Sequence, residues 1–270
     1  MKLYIYMLSA LLLSSFFFST PSSVQEFQGK AYYYSKSTLN LGAFGARMTD
    51  AQKRQIQAGL KNRLEKTYIL TFNKEASLFE EEVKLDAISG ATDSWGANFA
   101  PGDQYKNVKT KRLIQEQEFY GKQFLVQDNL LDITWIITSE NKKIGNYNCF
   151  KATAKIPTTA LTWYDFSWNE TNTSPVSEGE NPVAMTEIVA WYTPEIPISQ
   201  GPSEFWGLPG LILELNTGST TMLCAKLVLN PDETIVIEAP KKGKVVRKSD
   251  YKEIITGKMI EMRENRGGRR

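Results

Sequence analysis

The chain has 270 residues, of which 41% are hydrophobic and 23% are charged, with a formal net charge of +2 and no histidine. This balance is ordinary for a globular protein, and it argues against nucleic acid as the main partner, because phosphate binding needs a concentrated basic surface. The lack of histidine excludes the Ser-His-Asp triad, the Cys-His dyad and histidine-based zinc sites. The sequence predicts no metal site and no cofactor.

The first segment has the pattern of a secretory signal peptide. Lys2 precedes an apolar run from Leu3 to Phe18, and small polar residues follow it. The run is short for a membrane-spanning helix, which needs about 20 mostly apolar residues. An uncleaved N-terminal anchor is the alternative. We expect residues 1–24 to be a signal peptide, with no transmembrane segment after it, and the protein to be periplasmic or secreted.

The remaining chain predicts a single β-rich domain over residues 25–262. Residues 49–65 are the clearest helix, because Thr49 and Gln52 form a capping box and apolar residues follow on one stripe. Glycine and proline residues predict a loop at 86–106. Alternation and β-formers predict strands at 29–35, 67–72, 77–85, 116–119, 124–126, 132–138, 147–156, 187–192, 211–215, 222–229 and 234–238.

These elements predict a mainly β (α+β) fold. At least nine strands suggest a large curved antiparallel sheet, closed as a barrel or open as a half-barrel. The helix in the N-terminal half and a C-terminal helix that begins near Ser249 would pack on it. Either arrangement leaves a cavity as the natural ligand site.

Two groups of reactive side chains leave alternatives open. Glu80, Glu81 and Glu82 are adjacent carboxylates that could serve as acid and base, but on a strand they are also explained by a solvated face. Cys149 and Cys224 are the only cysteines. An exported compartment permits one disulfide between them, and two separately buried thiols are the alternative.

Residues 158–183 are polar, with prolines and glycine, and predict a surface insertion. Their aromatic residues, Trp163, Tyr164, Phe166 and Trp168, suggest a recognition surface, or else a hairpin that packs its rings on the sheet. The basic residues at 263–270 predict a solvated, disordered tail, and contact with anionic lipid headgroups is the alternative.

One motif stands out near the end of the chain. It consists of Gly207, Leu208, Pro209, Gly210, Leu211 and Ile212. On this motif together with the different segments at 71–82, 144–152, 190–198 and 201–202, the chain resembles the GLPGLI family of exported Bacteroidetes proteins over most of its mature length. The resemblance implies a Gram-negative envelope location and no particular activity. The strand, proline-rich loop and strand also resemble the curved-sheet outer-membrane lipoprotein carriers, which is an analogy of fold alone.

Physically, the motif is a tight connection into a buried strand. Gly207 and Gly210 can adopt positive φ or allow close backbone approach, and Pro209 fixes φ and lacks a donor. The Lys and Ser/Thr of a phosphate-binding loop are missing, so nucleotide binding is excluded. The alternative to a structural role is the lip of a ligand cavity. The candidate ligand-binding residues are Phe205, Trp206, Leu208, Trp191, Trp163 and Trp168.

Three functions fit these observations. The first is a periplasmic binding or carrier protein for an apolar or lipid-like ligand. The second is an accessory or structural envelope protein that binds another protein. The third is a hydrolase based on two carboxylates, which only the folded chain could bring together. No residue has the spacing of a catalytic motif, so we expect a protein without enzymatic activity.

Overall fold

A single sheet of twelve strands dominates the computed structural model, which describes residues 27–38, 47–82, 101–166, 168 and 183–267. The strands are β1 (Gln28–Ser37), β2 (Glu65–Asn73), β3 (Ala76–Glu81), β4 (Gln104–Asn107), β5 (Arg112–Phe119), β6 (Lys122–Asn129), β7 (Ile136–Ile144), β8 (Tyr147–Pro157), β9 (Met185–Thr193), β10 (Leu211–Asn216), β11 (Thr220–Leu229) and β12 (Lys244–Val246). The helices are α1 (Asp50–Gly59), α2 (Lys61–Leu64), α3 (Thr158–Leu161) and α4 (Lys248–Gly267).

The sheet is open and mixed. Its order is β12-β6-β5-β4-β3-β2-β1-β11-β10-β9-β8-β7, and β12 pairs with β6 in parallel while the other described pairs are antiparallel. The mainly β prediction is therefore confirmed. The expected barrel or curled half-barrel is wrong, because β12 and β7 are opposite edges and the sheet neither closes nor curls strongly.

Several hairpins follow local sequence signals. Gly121 and Gly145 adopt positive φ, 73° and 57°, in the β5–β6 and β7–β8 turns, which glycine does without a Cβ clash. The predicted strand at 132–138 begins only at Ile136, since Ile133 and Trp135 instead pack on a core cluster. Residues 234–238 are not a strand.

One face of the sheet is covered by the loop between β9 and β10, and we call it the covered face. Opposite residues of antiparallel strands share a face. Register therefore aligns Phe72, Ser77, Lys106 and Leu113 across four strands of this face. The loop places Ile196 and Ile198 in the same apolar cluster as Phe72. Near the β12 edge the cover is α4, whose Tyr251, Ile255 and Met259 pack with Phe124 and Val126 of β6.

The two helical regions behave differently. The capping box of Thr49 and Gln52 is present, but the predicted helix at 49–65 is divided into α1, which buries none of its residues, and α2, which contacts β1 and β2. The C-terminal helix is packed as expected, and it continues to Gly267, five residues into the segment 263–270 that was expected to be a tail. Within the described ranges, no helix combines the length and apolar character needed to cross a lipid bilayer. The expected signal peptide, at residues 1–24, lies outside the described residues.

Candidate functional site

The loop from residue 194 to residue 210 reaches across the sheet and is held by a buried lysine. Lys106 on β4 has no exposed surface. Its ammonium donates hydrogen bonds to the carbonyl oxygens of Gly201 at 2.5 Å, Ser203 at 2.5 Å and Phe205 at 3.1 Å. Three N–H donors thus meet three acceptors, which offsets the cost of burying the charge. Burial lowers the pKa of Lys106 to about 7, and the carboxylate of Glu204 opposes that change.

Glu204 is the centre of a second buried contact. Its Oε1 accepts a hydrogen bond from the indole Nε1 of Trp163 at 2.7 Å, and its Oε2 accepts one from the ammonium of Lys248. The Glu204 side chain is 7% exposed and that of Lys248 is 16% exposed. Trp163 also packs edge-on against Tyr251 of α4. The network therefore joins the loop, the segment after β8 and the start of α4.

The glycines of the GLPGLI motif have the two roles expected for them. Gly207 has φ of +97°, in the region that favours glycine. A Cβ on Gly210 would lie 2.1 Å from the carbonyl oxygen of Thr193, so the chain approaches β9 too closely for any side chain. Leu211 and Ile212 follow with no exposed surface. The motif is thus a tight entry into a buried strand.

Beside this network lies a partly enclosed cavity of about 240 Å³, which we call the inner cavity. It is bounded by the covered face, by residues 158–164 and by residues 203–205. Its apolar lining is Pro101, Leu161, Phe205, Leu215 and Met222. Its polar lining is Gln104, Gln115, Thr158, Thr162, Tyr164, Thr186, Ser203, Glu204, Thr217, Ser219 and Thr220.

A more open depression of about 590 Å³, the outer groove, lies on the other side of the same segment. Its lining is Asp128, Asn129, Leu130, Leu131, Asp132, Thr159, Ala160, Trp163, Lys248, Ser249 and Lys252. Neighbours along the chain therefore face different spaces: Ala160 lines the outer groove and Leu161 the inner cavity. The segment 158–164, together with the contact between Glu204 and Lys248, forms a partition between the two.

The structure brings together only part of the predicted ligand site. Phe205 lines the inner cavity and Trp163 the outer groove. Leu208 is buried in the core, and the indole Nε1 of Trp206 donates a hydrogen bond to the carbonyl oxygen of Leu131.

The other two candidates lie away from both cavities. The ammonium of Lys142 lies over the ring of Trp191, 4.2 Å from its centroid. Trp168 packs edge-on against Phe166, and the Arg263 guanidinium lies over its ring at 4.9 Å. The aromatic side chains at 163–168 therefore belong to one apolar cluster with Phe119, Phe124 and Val126 of the sheet and with residues of α4. Most of the remaining insertion, residues 167 and 169–182, lies outside the described residues.

The two cysteines are free thiols that belong to the same apolar cluster, Cys149 in its core and Cys224 packed against it. Burial raises the pKa of each thiol to about 11. A thiolate is the reactive form of cysteine, so neither side chain is prepared to act as a nucleophile.

The carboxylates of the acidic run at 80–82 have different surroundings. Burial is the main cause that raises the pKa of Glu80 and also that of Asp103, and the two carboxylates repel one another. Glu81 pairs instead with Lys66 at 2.6 Å. In the described part of the chain, no group of three or more Cys, Asp or Glu side chains is arranged to hold a metal ion.

No sequence pattern indicates that the polar residues of the site are buried. Gln104 and Lys106 alternate with Tyr105 and Asn107 in a strand predicted to be loop, because the polar residues face inward. Glu204 is one residue of a proline- and glycine-rich loop. Period-two patterns identify a buried face only when that face is apolar.

Comparison with known proteins adds a family match to this part of the fold. Residues 135–214 match the family model described as a protein of unknown function (Porph_ging). The matched segment runs from Trp135 through β7, β8 and β9, includes the loop held by Lys106, and ends in β10. It covers less than half of the chain.

The structural similarities are distant. The fold is similar to PNGF-II in a C2 crystal form, with a TM-score of 0.49 and 16% identity over 85% of this chain and 32% of that chain. A P21 crystal form of PNGF-II is similar with a TM-score of 0.45 and 17% identity, over 85% of this chain and 33% of that chain. The chain thus spans about a third of the length of these solved chains. Among curated proteins the sequence has no match.

Proposed function

We propose that this chain is a ligand-binding protein of the cell envelope, and that the inner cavity holds an apolar or lipid-like ligand. The observation that carries the proposal is the cavity itself, which lies against the covered face and combines five apolar side chains with eleven polar residues. In binding sites for small molecules, apolar side chains supply contact area and polar groups fix the orientation of the ligand. Phe205, Leu215 and Met222 supply the apolar contact.

Binding is favoured over catalysis by the state of the one carboxylate on the cavity wall. Both oxygens of Glu204 already accept hydrogen bonds, from Trp163 and Lys248. These two contacts give the carboxylate a structural role that accounts for its burial. The described residues of the inner cavity supply no second carboxylate to act with it.

Export is part of the same proposal. It is supported by the pattern at residues 1–24 and by the resemblance to the GLPGLI family, both of which are properties of the sequence. A protein that meets apolar molecules between two membranes would be a binding or carrier protein of the periplasm.

The proposal is tested by native mass spectrometry of the protein purified from the periplasm of a Gram-negative host, before and after extraction with organic solvent. We expect an adduct of lipid-like mass that extraction removes. A spectrum that shows only the mass of the polypeptide before extraction contradicts the carrier hypothesis. It favours the alternative, an accessory protein that binds an envelope protein.

The partition provides a matched pair of variants for locating the ligand. Leu161→Trp places an indole in the inner cavity, whereas Ala160→Trp places one in the outer groove. We expect the adduct to disappear in Leu161→Trp and to persist in Ala160→Trp. The reverse result would place the ligand in the outer groove.

A further inference from the structure

Three glutamine side chains form a row of hydrogen bonds on the covered face. Gln104 Nε2 donates to Gln115 Oε1 at 2.6 Å, and Gln115 Nε2 donates to Gln117 Oε1 at 3.0 Å. The backbone N–H of Gly102 also donates to Gln117 Oε1, at 2.8 Å. Gly102 can approach so closely because it lacks a Cβ, which would lie 2.2 Å from the carbonyl oxygen of Glu116.

The orientation of the whole row follows from that last contact. A backbone N–H can only donate, so the atom of Gln117 that faces it must be the oxygen. Gln115 must then present its nitrogen to Gln117 and its oxygen to Gln104. Gln104 in turn must use its nitrogen toward Gln115, and its oxygen is left pointing away from the row.

Gln104 Oε1 is therefore a buried acceptor without a partner among the described residues. Gln104 is 4% exposed and lines the inner cavity. An unsatisfied buried acceptor costs about 1–3 kcal/mol. The oxygen itself has almost no exposed surface, so the Gln104 side chain must shift toward the cavity before a ligand can donate a hydrogen bond to it and recover that free energy. An acceptor such as a carboxylate recovers none of it.

The charges around the cavity restrict the ligand further. Its lining, as far as the chain is described, contains no lysine or arginine, and its one carboxylate, Glu204, is already paired. An anionic headgroup would be buried without a counter-charge, at high cost. A volume of about 240 Å³ lies just below the roughly 300–1,000 Å³ of typical small-molecule pockets, so the cavity suits a small ligand.

We propose that Gln104 Oε1 selects a neutral ligand that carries a hydrogen-bond donor, a hydroxyl or an amide, on a short apolar chain. This inference rests on the proposed function and names its ligand class. Fatty alcohols and fatty amides belong to that class, and fatty acid anions do not.

Isothermal titration of the delipidated protein at pH 8 with four probes that share an eight-carbon chain tests the selection. The probes are 1-octanol, octanamide, octanoate and octyl methyl ether, which differ in their head groups. We expect octanol and octanamide to bind about tenfold more tightly than the other two, since one hydrogen bond to a buried acceptor is worth about that factor. Octanoate binding as tightly as octanol would overturn the inference.

Gln104→Met removes the acceptor, and Gln200→Met is its matched control, because Gln200 is also a buried glutamine but does not line the cavity. We expect Gln104→Met to bind octanol about tenfold more weakly, down to the affinity of the ether. Gln200→Met should bind octanol within twofold of the original protein. If Gln104→Met does not fold, the four probes on the unmodified protein still decide the matter.

The two proposals fail in different ways. If none of the four probes binds, and no adduct is found in the native spectra, the proposed function is wrong. If all four bind with equal affinity, the cavity is an apolar binding site and only the selection by Gln104 is wrong.

Discussion

The ammonium of Lys106 and the carbonyl oxygen of Gly201 are joined at 2.5 Å although they lie 95 residues apart in the chain. The contact fixes the loop that leads into the GLPGLI motif on a strand from the other half of the sheet. Because the same ammonium also holds Ser203 and Phe205, one side chain sets the position of one wall of the inner cavity.

Lys106→Met should therefore destabilise the protein strongly. It leaves three carbonyl groups of a buried loop without donors, and the loss is expected to be about 3 kcal/mol or more. Urea unfolding measures it, and hydrogen exchange should show loss of protection at 199–208 before the rest of the sheet. Lys109→Met is the control, since Lys109 forms an exposed pair with Glu75, and it should change stability by less than about 1 kcal/mol.

The pKa of Lys106 also predicts how stability depends on pH. Burial lowers this pKa to about 7 from the ordinary 10.5, so the unfolded chain binds more protons than the folded one between those values. Stability should then rise with pH across that window and gain nothing from this group below pH 7. Between pH 7 and pH 9 the free energy of unfolding should increase by about 2 kcal/mol more in the original protein than in Lys106→Met.

Urea unfolding of both proteins at pH 7, 8 and 9 checks this expectation. The comparison between the two proteins removes the contribution of all groups that titrate alike in both, so that the remaining pH dependence belongs to Lys106. A difference that stays constant as pH rises would mean that the three carbonyl groups keep the ammonium charged throughout.

The hairpins, the capping box and the buried strand after the GLPGLI motif could be predicted from the sequence, because each depends on neighbouring residues. Gly121 and Gly145 are clear local signals of this kind. The polar part of the site could not be predicted, since Lys106, Gln104 and Glu204 are buried by partners far away in the chain. The shape of the sheet could not be predicted either. Strand number allows closure, but β12 joins β6 in parallel and ends the sheet, a pairing for which the short, polar segment at 240–246 gives no signal.

The pair formed by Glu204 and Lys248 should be worth more than the surface pairs of the same chain. Glu204→Gln keeps an acceptor for Trp163 but sets an amide against the Lys248 ammonium, and it removes the carboxylate that helps to keep Lys106 charged. Breaking a buried pair costs about 3–5 kcal/mol. Thermal unfolding followed by tryptophan fluorescence measures the loss.

Glu140→Gln is the matched control for that substitution. It breaks the pair with Lys151, in which the Glu140 side chain is 57% exposed, and it should cost less than about 1 kcal/mol. Equal losses in the two variants would show that the partition between the cavities carries no special energetic weight.

The final prediction concerns one substitution with opposite outcomes at two sites. Gly210→Ala would place a Cβ 2.1 Å from the carbonyl oxygen of Thr193, a backbone atom that cannot move without disturbing β9. Gly59→Ala, at the end of α1, meets no atom within 4 Å. The second change should stabilise the protein by about 0.5–1 kcal/mol, because alanine restricts the unfolded chain and favours the helix. The first should destabilise it by several times that amount, since the strain affects the strand that follows the motif. Urea unfolding of the two variants settles the comparison, and a Gly210→Ala protein as stable as the original would mean that the close approach to Thr193 is not required by the fold.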